Sequence, residues 1–338
     1  MAASLDLGER NYGPDVVILR GFAYLMVALL AVFLINSYLT FWLDWPGASL
    51  PTDDSSLGFA QLLLYIVAIA GAGYYAKENQ NNLLRADAER LAAAAAYVVR
   101  GAFFAVLLVG IADIVISFLR VEELLAGFVG ETMANDLGKS NYRGLYVHYP
   151  LILISYIIAI FSRTLGFTWL AFMVVLAEFM IVISRFVFSY EQAFMGDLVR
   201  FWYASLFLFA AAHTLIEEGH VRVDVLYTGF SHEGKARANI AGCMLLGLPV
   251  CWTILLMGMA GKGSSIVSPL TSYEISQSGF GMYTKYLMAG FLLIFATSMI
   301  LQFSSYLLGA LAELKAEPGG GETHEDDGFG ETSLHDIV

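Results

Sequence analysis

Charge is what this sequence has least of. Only 14% of its 338 residues are Asp, Glu, Lys or Arg, whereas a soluble domain carries roughly 25%. With 58% hydrophobic residues and a mean hydropathy of +0.67, that deficit points away from a solvated globular enzyme and places the chain in a bilayer. Cysteine is nearly absent. Cys243 and Cys251 lie eight residues apart in one apolar run, which as helix separates them by roughly 12 Å. That is too far to bridge, so both are expected to pack as small apolar side chains.

Histidine is sparse as well. Among His148, His213, His220, His232, His324 and His335, no two stand at metal-ligand spacing on one helix face, and His213 alone falls well inside an apolar run. HTLIEEGH (213–220) lacks the His-Glu-x-x-His order of a metalloprotease. Hence no haem, metal, cofactor or catalytic residue is expected. The formal net charge of −12 draws on eight carboxylates between Glu313 and Asp336, so the membrane body is closer to neutral and a nucleic-acid partner has no support. Also missing are an internal repeat and paired Gly/Pro-broken helices in two matching halves, the mark of a self-sufficient secondary transporter.

What the chain does have is long apolar runs. About 20 apolar residues cross the hydrocarbon core as a helix. Eight runs qualify, near 16–42, 57–76, 95–119, 144–162, 165–188, 197–216, 238–260 and 284–310. SRTLG (162–166) is so short a turn that residues 144–188 read either as two spans or as one bent helix, which makes seven spans possible. The first run follows Arg10 and Arg20 but continues to Trp42 with no A-x-A site, so it reads as an uncleaved span. A cytoplasmic N-terminus puts 11 of the 18 Lys and Arg residues on the cytoplasmic side and leaves LDWPGASLPTDDSS, with three aspartates and no base, opposite. Both termini are then cytoplasmic. The fold class is therefore an all-α integral membrane protein with about eight transmembrane helices, interfacial helical elbows and a disordered acidic C-terminal tail over 313–338. The stretch 79–96 is expected to lie along the membrane surface ahead of the third span.

Ionisable residues within spans are costly and count as functional candidates. Asp113 and Glu178 are of this kind, with Arg185 and Arg200 near span ends. Glu178 and Arg185 stand seven residues apart, two helical turns along one face. One reading is a free-standing transporter or channel that uses Asp113, Glu178 and Arg185 as a polar path. The densest charge before the tail lies in LIEEGHVRVDVLY (215–227), where Glu217, Glu218, His220, Arg222 and Asp224 mark the exit of the sixth span into the headgroups. Valine alternates with charge there, and Asp224 is placed to N-cap a short interfacial helix, VLYTGF. The stretch reads as an elbow. The loop 261–290 is rich in Ser, Thr, Gly and Tyr, with Glu274 its one carboxylate.

The stretch RFVFSYEQAFMGDLVRFWYASLFLFAAAHTLIEEGHVRVDVLY (185–227) resembles the small membrane subunit, the DctQ-type component, of tripartite ATP-independent periplasmic (TRAP) transporters. The likeness rests on Arg185 to Phe188, on Glu191 with Asp197, on the aromatic run from Phe201, and on Gly219-His220-Val221 through Asp224. It continues through SYEISQSGFGMYTKYLMAG to about residue 312. Where the family usually has an adjacent acidic pair, this chain has Gly196-Asp197, and residues 1–164 lie outside the usual four-helix subunit. The resemblance implies a four-helix membrane domain over 165–312 and an N-terminal extension of about four spans. It also implies a scaffold role beside a large permease subunit of the bacterial inner membrane, which moves a small organic acid by sodium symport after a periplasmic solute-binding protein captures it. Arg185, Asp197, Arg200, His220, Arg222, Asp224 and Glu274 are the residues expected to make structural or inter-subunit contacts.

Overall fold

The structure, a computed structural model, describes residues 12–50, 56–163, 167–216, 227–275 and 281–317. These are helical, with no strand, and eight helices are long and apolar enough to cross a membrane. The first three spans are α1 (Pro14–Trp42), α2 (Ser56–Glu78) and α3 (Leu84–Val121); two short helices follow, α4 (Leu125–Val129) and α5 (Glu131–Leu137). The fourth span joins α6 (Ser140–Arg143) to α7 (Tyr149–Phe161) through a π-helical turn (Gly144–His148). The fifth and sixth are α8 (Phe167–Phe188) and α9 (Ala193–Ile216). The seventh joins α10 (His232–Gly242) to α11 (Leu248–Gly258) through a second π-helical turn (Cys243–Gly247). After the short α12 (Val267–Ser272), α13 (Lys285–Leu314) is the eighth.

Two expectations are refined. The polar pair Ser162-Arg163 interrupts the apolar run, α7 stops at Phe161 with Ser162 in extended backbone (φ −114, ψ 131), and α8 begins at Phe167, so residues 144–188 form two spans. The alanine-rich stretch before the third span is not a separate surface helix. It forms the first turns of α3, which runs unbroken for 38 residues, about 57 Å at 1.5 Å per residue. Alanine has the highest helix propensity, so nothing between Leu84 and the apolar core of the span breaks the helix.

The chain forms two compact units. One comprises Met1–Ala94, Val221–Trp252 and Met299–Ser333. Its apolar centre gathers Val16, Ala23, Leu84, Leu91, Cys243, Leu307 and Leu311. Several of its polar groups pair with one another, which offsets the cost of placing them where hydrocarbon excludes water. The Asn36 Nδ2 donates to the Gln61 carbonyl at 3.2 Å and the Gln61 Nε2 to the Asn36 carbonyl at 3.4 Å, which stitches α1 to α2. Arg20, fully buried, donates to the carbonyls of Asn79 and Asn82 and pairs with Asp87 at 3.1 Å. Glu317, just past α13, accepts from the backbone N–H groups of Leu84 (2.8 Å) and Arg85 (3.2 Å), and from the Tyr12 hydroxyl.

That carboxylate therefore caps the start of α3 from far along the chain, where the first turn of a helix leaves donors without partners. Glu317→Ala is expected to cost about 1–2 kcal/mol, read as a lower apparent Tm of the detergent-solubilised protein, with Glu317→Gln falling between alanine and wild type. The elbow residues Glu217, Glu218, His220, Arg222 and Asp224 lie outside the described residues, as does the tail beyond Glu317.

Candidate functional site

The second unit comprises, of the described residues, 95–163, 167–216, 253–275 and 281–298, and its interior is organised along one stripe of α3. Gly110, Asp113, Ser117 and Arg120 follow one another at helical spacings of three and four residues, which places them on one face. Asp113 and Ser117 are fully buried. The Asp113 Oδ1 accepts from the Arg143 Nη1 at 2.8 Å and from the His148 Nε2 at 3.0 Å, while Oδ2 accepts from the Tyr283 backbone N–H at 2.8 Å. A carboxylate only accepts, so the His148 Nε2 carries the donated proton, and Nδ1 hydrogen-bonds with the Tyr286 hydroxyl at 2.8 Å.

Arg143 is fully buried and anchored on several sides. Besides Asp113, its guanidinium donates to the Ser117 hydroxyl at 3.0 Å and, through Nε and Nη2, to the Leu137 carbonyl at 3.0 and 2.8 Å. The Tyr283 ring lies 4.2 Å from the Arg143 guanidinium and 4.6 Å from that of Arg120, within the range of cation–π attraction. Arg120 also donates to the Tyr283 hydroxyl and, at 3.3 Å, to the Gly281 carbonyl. The π-helical turn that carries His148 brings Gly144 against two tyrosines. A methyl group on Gly144 would lie 2.5 Å from the Tyr273 ring and 3.0 Å from the Tyr286 hydroxyl.

A second aspartate acts on the same loop. The Asp197 Oδ2 accepts from the Met282 N–H at 3.1 Å, directly beside the residue held by Asp113. Two carboxylates, one from the third span and one from the start of the sixth, thus take consecutive backbone donors immediately before α13. Negative charge at a helix N-terminus is favoured by the aligned peptide dipoles and by donors lacking intrahelical partners. The arrangement is a clamp on residues 281–284.

The other expected residues lie elsewhere. Arg200 is exposed and pairs with Asp197 at 3.5 Å. Arg185 and Glu191 form an exposed pair at 3.3 Å, and Glu274 pairs with Lys285 at 2.6 Å across the loop. Glu178 is exposed on α8. Asp113 is thus enclosed by Arg143, His148 and Tyr283, whereas Glu178 and Arg185 face outward, and the three do not share a site. His220, Arg222 and Asp224 lie outside the described residues, as does the side chain of His213. Sequence reasoning missed Arg143, His148, Ser117, Arg120, Tyr283 and Tyr286. The signal that marks two of them, Ser117 and Arg120, is the small and polar stripe on α3, since such residues hold helices together in membranes.

Residues 173–312 match the family model for the DctQ component of tripartite ATP-independent periplasmic transporters. This stretch is the DctQ-like segment of the chain. The match covers under half of the chain and begins within α8. Neither a curated protein nor a solved structure gives a match. The DctQ family is a component of a transporter and not an enzyme family, and eight helices of this chain are long and apolar enough to cross a membrane. The clamp joins the segment to what precedes it: Asp197, Met282, Tyr283 and Tyr286 belong to the DctQ segment, whereas Asp113, Ser117, Arg120, Arg143 and His148 precede it.

Proposed function

We propose that the chain is the small, scaffold subunit of a TRAP-type secondary transporter, which takes up a small organic acid with a large permease subunit and a periplasmic solute-binding protein. It resides in the bacterial inner membrane with both termini cytoplasmic, following the Lys and Arg bias. In this reading residues 165–312 form the four-helix subunit proper. Residues 1–164 are an extension that fastens the subunit's own loop before α13, and the acidic tail expected over 313–338 starts later than that, since α13 runs to Leu314 and Glu317 is buried against the start of α3. Arg185, Asp197, Arg200, His220, Arg222, Asp224 and Glu274 serve structure or subunit contact.

The observation that carries the proposal is the engagement of Asp113. Both oxygens of this intramembrane carboxylate are taken by Arg143, His148 and the Tyr283 N–H, so the group serves packing and offers no station to a passing ion. A cavity of about 260 Å³ in the same unit is lined by apolar side chains such as Ala105, Val109, Ile152, Phe201 and Phe291, a surface that offers an organic anion nothing to replace its lost water. A solute path inside this chain therefore has no support among the described residues.

The test is reconstitution. Proteoliposomes with this chain alone are expected to show no solute or sodium flux above empty vesicles, and uptake is expected to require the large permease and the binding protein together. Sustained flux by the chain alone would overturn the proposal.

A further inference from the structure

The least enclosed span of the molecule carries a carboxylate at its middle. Only 11% of the α8 window is buried, against 50% for α13. Val175, Phe179, Val182 and Phe186 stand exposed along it, and Glu178 is the twelfth of its 22 residues. Glu178 makes no hydrogen bond or ion pair with any described residue. Arg185, seven residues on, is engaged by Glu191. Val175 and Val182, the helical neighbours of Glu178 one turn to either side, are exposed as well. A carboxylate at this depth facing acyl chains is costly, and intramembrane carboxylates are ordinarily met by a polar or basic partner.

We infer that the face of α8 centred on Glu178 is the docking surface for a transmembrane helix of the large permease subunit, and that this helix places a basic or amide side chain at mid-bilayer against Glu178. The inference rests on the proposed function, which supplies the permease. Charge complementarity selects the occupant. Acyl chains offer the carboxylate no donor. In a parallel dimer about this face, a second copy would set Glu178 against Glu178 at the same depth, two like charges where one cation is wanted. Because Arg185 is held by Glu191, the donor has to come from the partner. The valine and phenylalanine side chains on either side supply the close packing that drives helix association in lipid, where the hydrophobic effect contributes little.

The test is co-purification of this chain with the co-expressed large permease in mild detergent. Glu178→Leu is expected to reduce permease recovered per chain about tenfold, the effect of one interhelical polar contact, while the apparent Tm of the chain purified alone stays level or rises. Glu178→Gln, which retains hydrogen-bonding capacity, is expected to recover part of the loss. A photo-crosslinker placed at Val182 in the otherwise wild-type chain is expected to label the permease. Undiminished recovery with Glu178→Leu, or crosslinks only to lipid or to a second copy of this chain, overturns the docking surface and leaves the scaffold role standing. Failure of the wild-type chain to hold any permease overturns both.

Discussion

Asp113→Ala is expected to cost about 3–5 kcal/mol of stability, the usual penalty for removing one partner of a buried ion pair. The loss has three parts, each tied to a contact. Arg143, fully buried, is left with an uncompensated charge. His148 loses the acceptor that orients its ring, and the Tyr283 N–H loses its carbonyl substitute at the start of α13. Asp113→Asn keeps the shape and one acceptor oxygen, so it is expected to fall between alanine and wild type. The informative variant is the double change Asp113→Leu with Arg143→Met. Replacing a buried pair by apolar residues of similar size is often near neutral, so the double variant is expected to melt above Asp113→Ala even though it lacks both charges. Apparent Tm of the purified protein in one detergent ranks the series. A double variant no better than Asp113→Ala would mean that the hydrogen bonds to His148 and Tyr283 hold the site and not the charge balance.

The spans were legible in the sequence because a membrane imposes a length on apolar runs, and that signal is local. The two-helix reading of 144–188 needed the structure, since Ser162 and Arg163 are too few to distinguish a break from a bend. Polar positions were half legible. Asp113 stood out as a carboxylate within an apolar run, but its partners are 30 and 35 residues away in the chain. They sit in SNYRGLYVHYP, which straddles the polar start of the fourth apolar run at 144–162. No local pattern says that such a stretch turns inward; here a π-helical turn carries His148 to the interior. Helical spacing puts Glu178 and Arg185 on one face, yet spacing gives no direction for that face: a packed interface is one reading, and both side chains are exposed on α8. Arg20 shows the same limit. As a basic residue before an apolar run it looks like a topology signal, whereas α1 encloses it and Asp87 neutralises it.

The join between the extension and the DctQ segment should be most sensitive at Gly110. The indole N–H of Trp202 donates to the Val106 carbonyl at 3.1 Å, one turn from Gly110 along α3, and the ring lies directly over the glycine. A methyl group at Gly110 would stand 2.5 Å from the Trp202 Nε1 and 3.3 Å from a methyl of Leu198. Trp202 and Leu198 are both buried, so neither has open space into which to withdraw. Gly110→Ala is expected to destabilise by about 1–3 kcal/mol through overpacking, and Gly110→Leu by more, with the Trp202 hydrogen bond broken in each. Gly73 in α2 supplies the control: a methyl there meets nothing within 4 Å, and Gly73→Ala is expected to be neutral or slightly stabilising because alanine favours helix. Apparent Tm and tryptophan emission together read the outcome. A matched loss at both glycines would assign the effect to helix propensity, while a loss confined to Gly110 assigns it to the α3–α9 contact. That contact packs α3, which carries Asp113, against α9, which carries Asp197, so the same variant is expected to loosen the clamp on Met282 and Tyr283 without touching any of its charged groups.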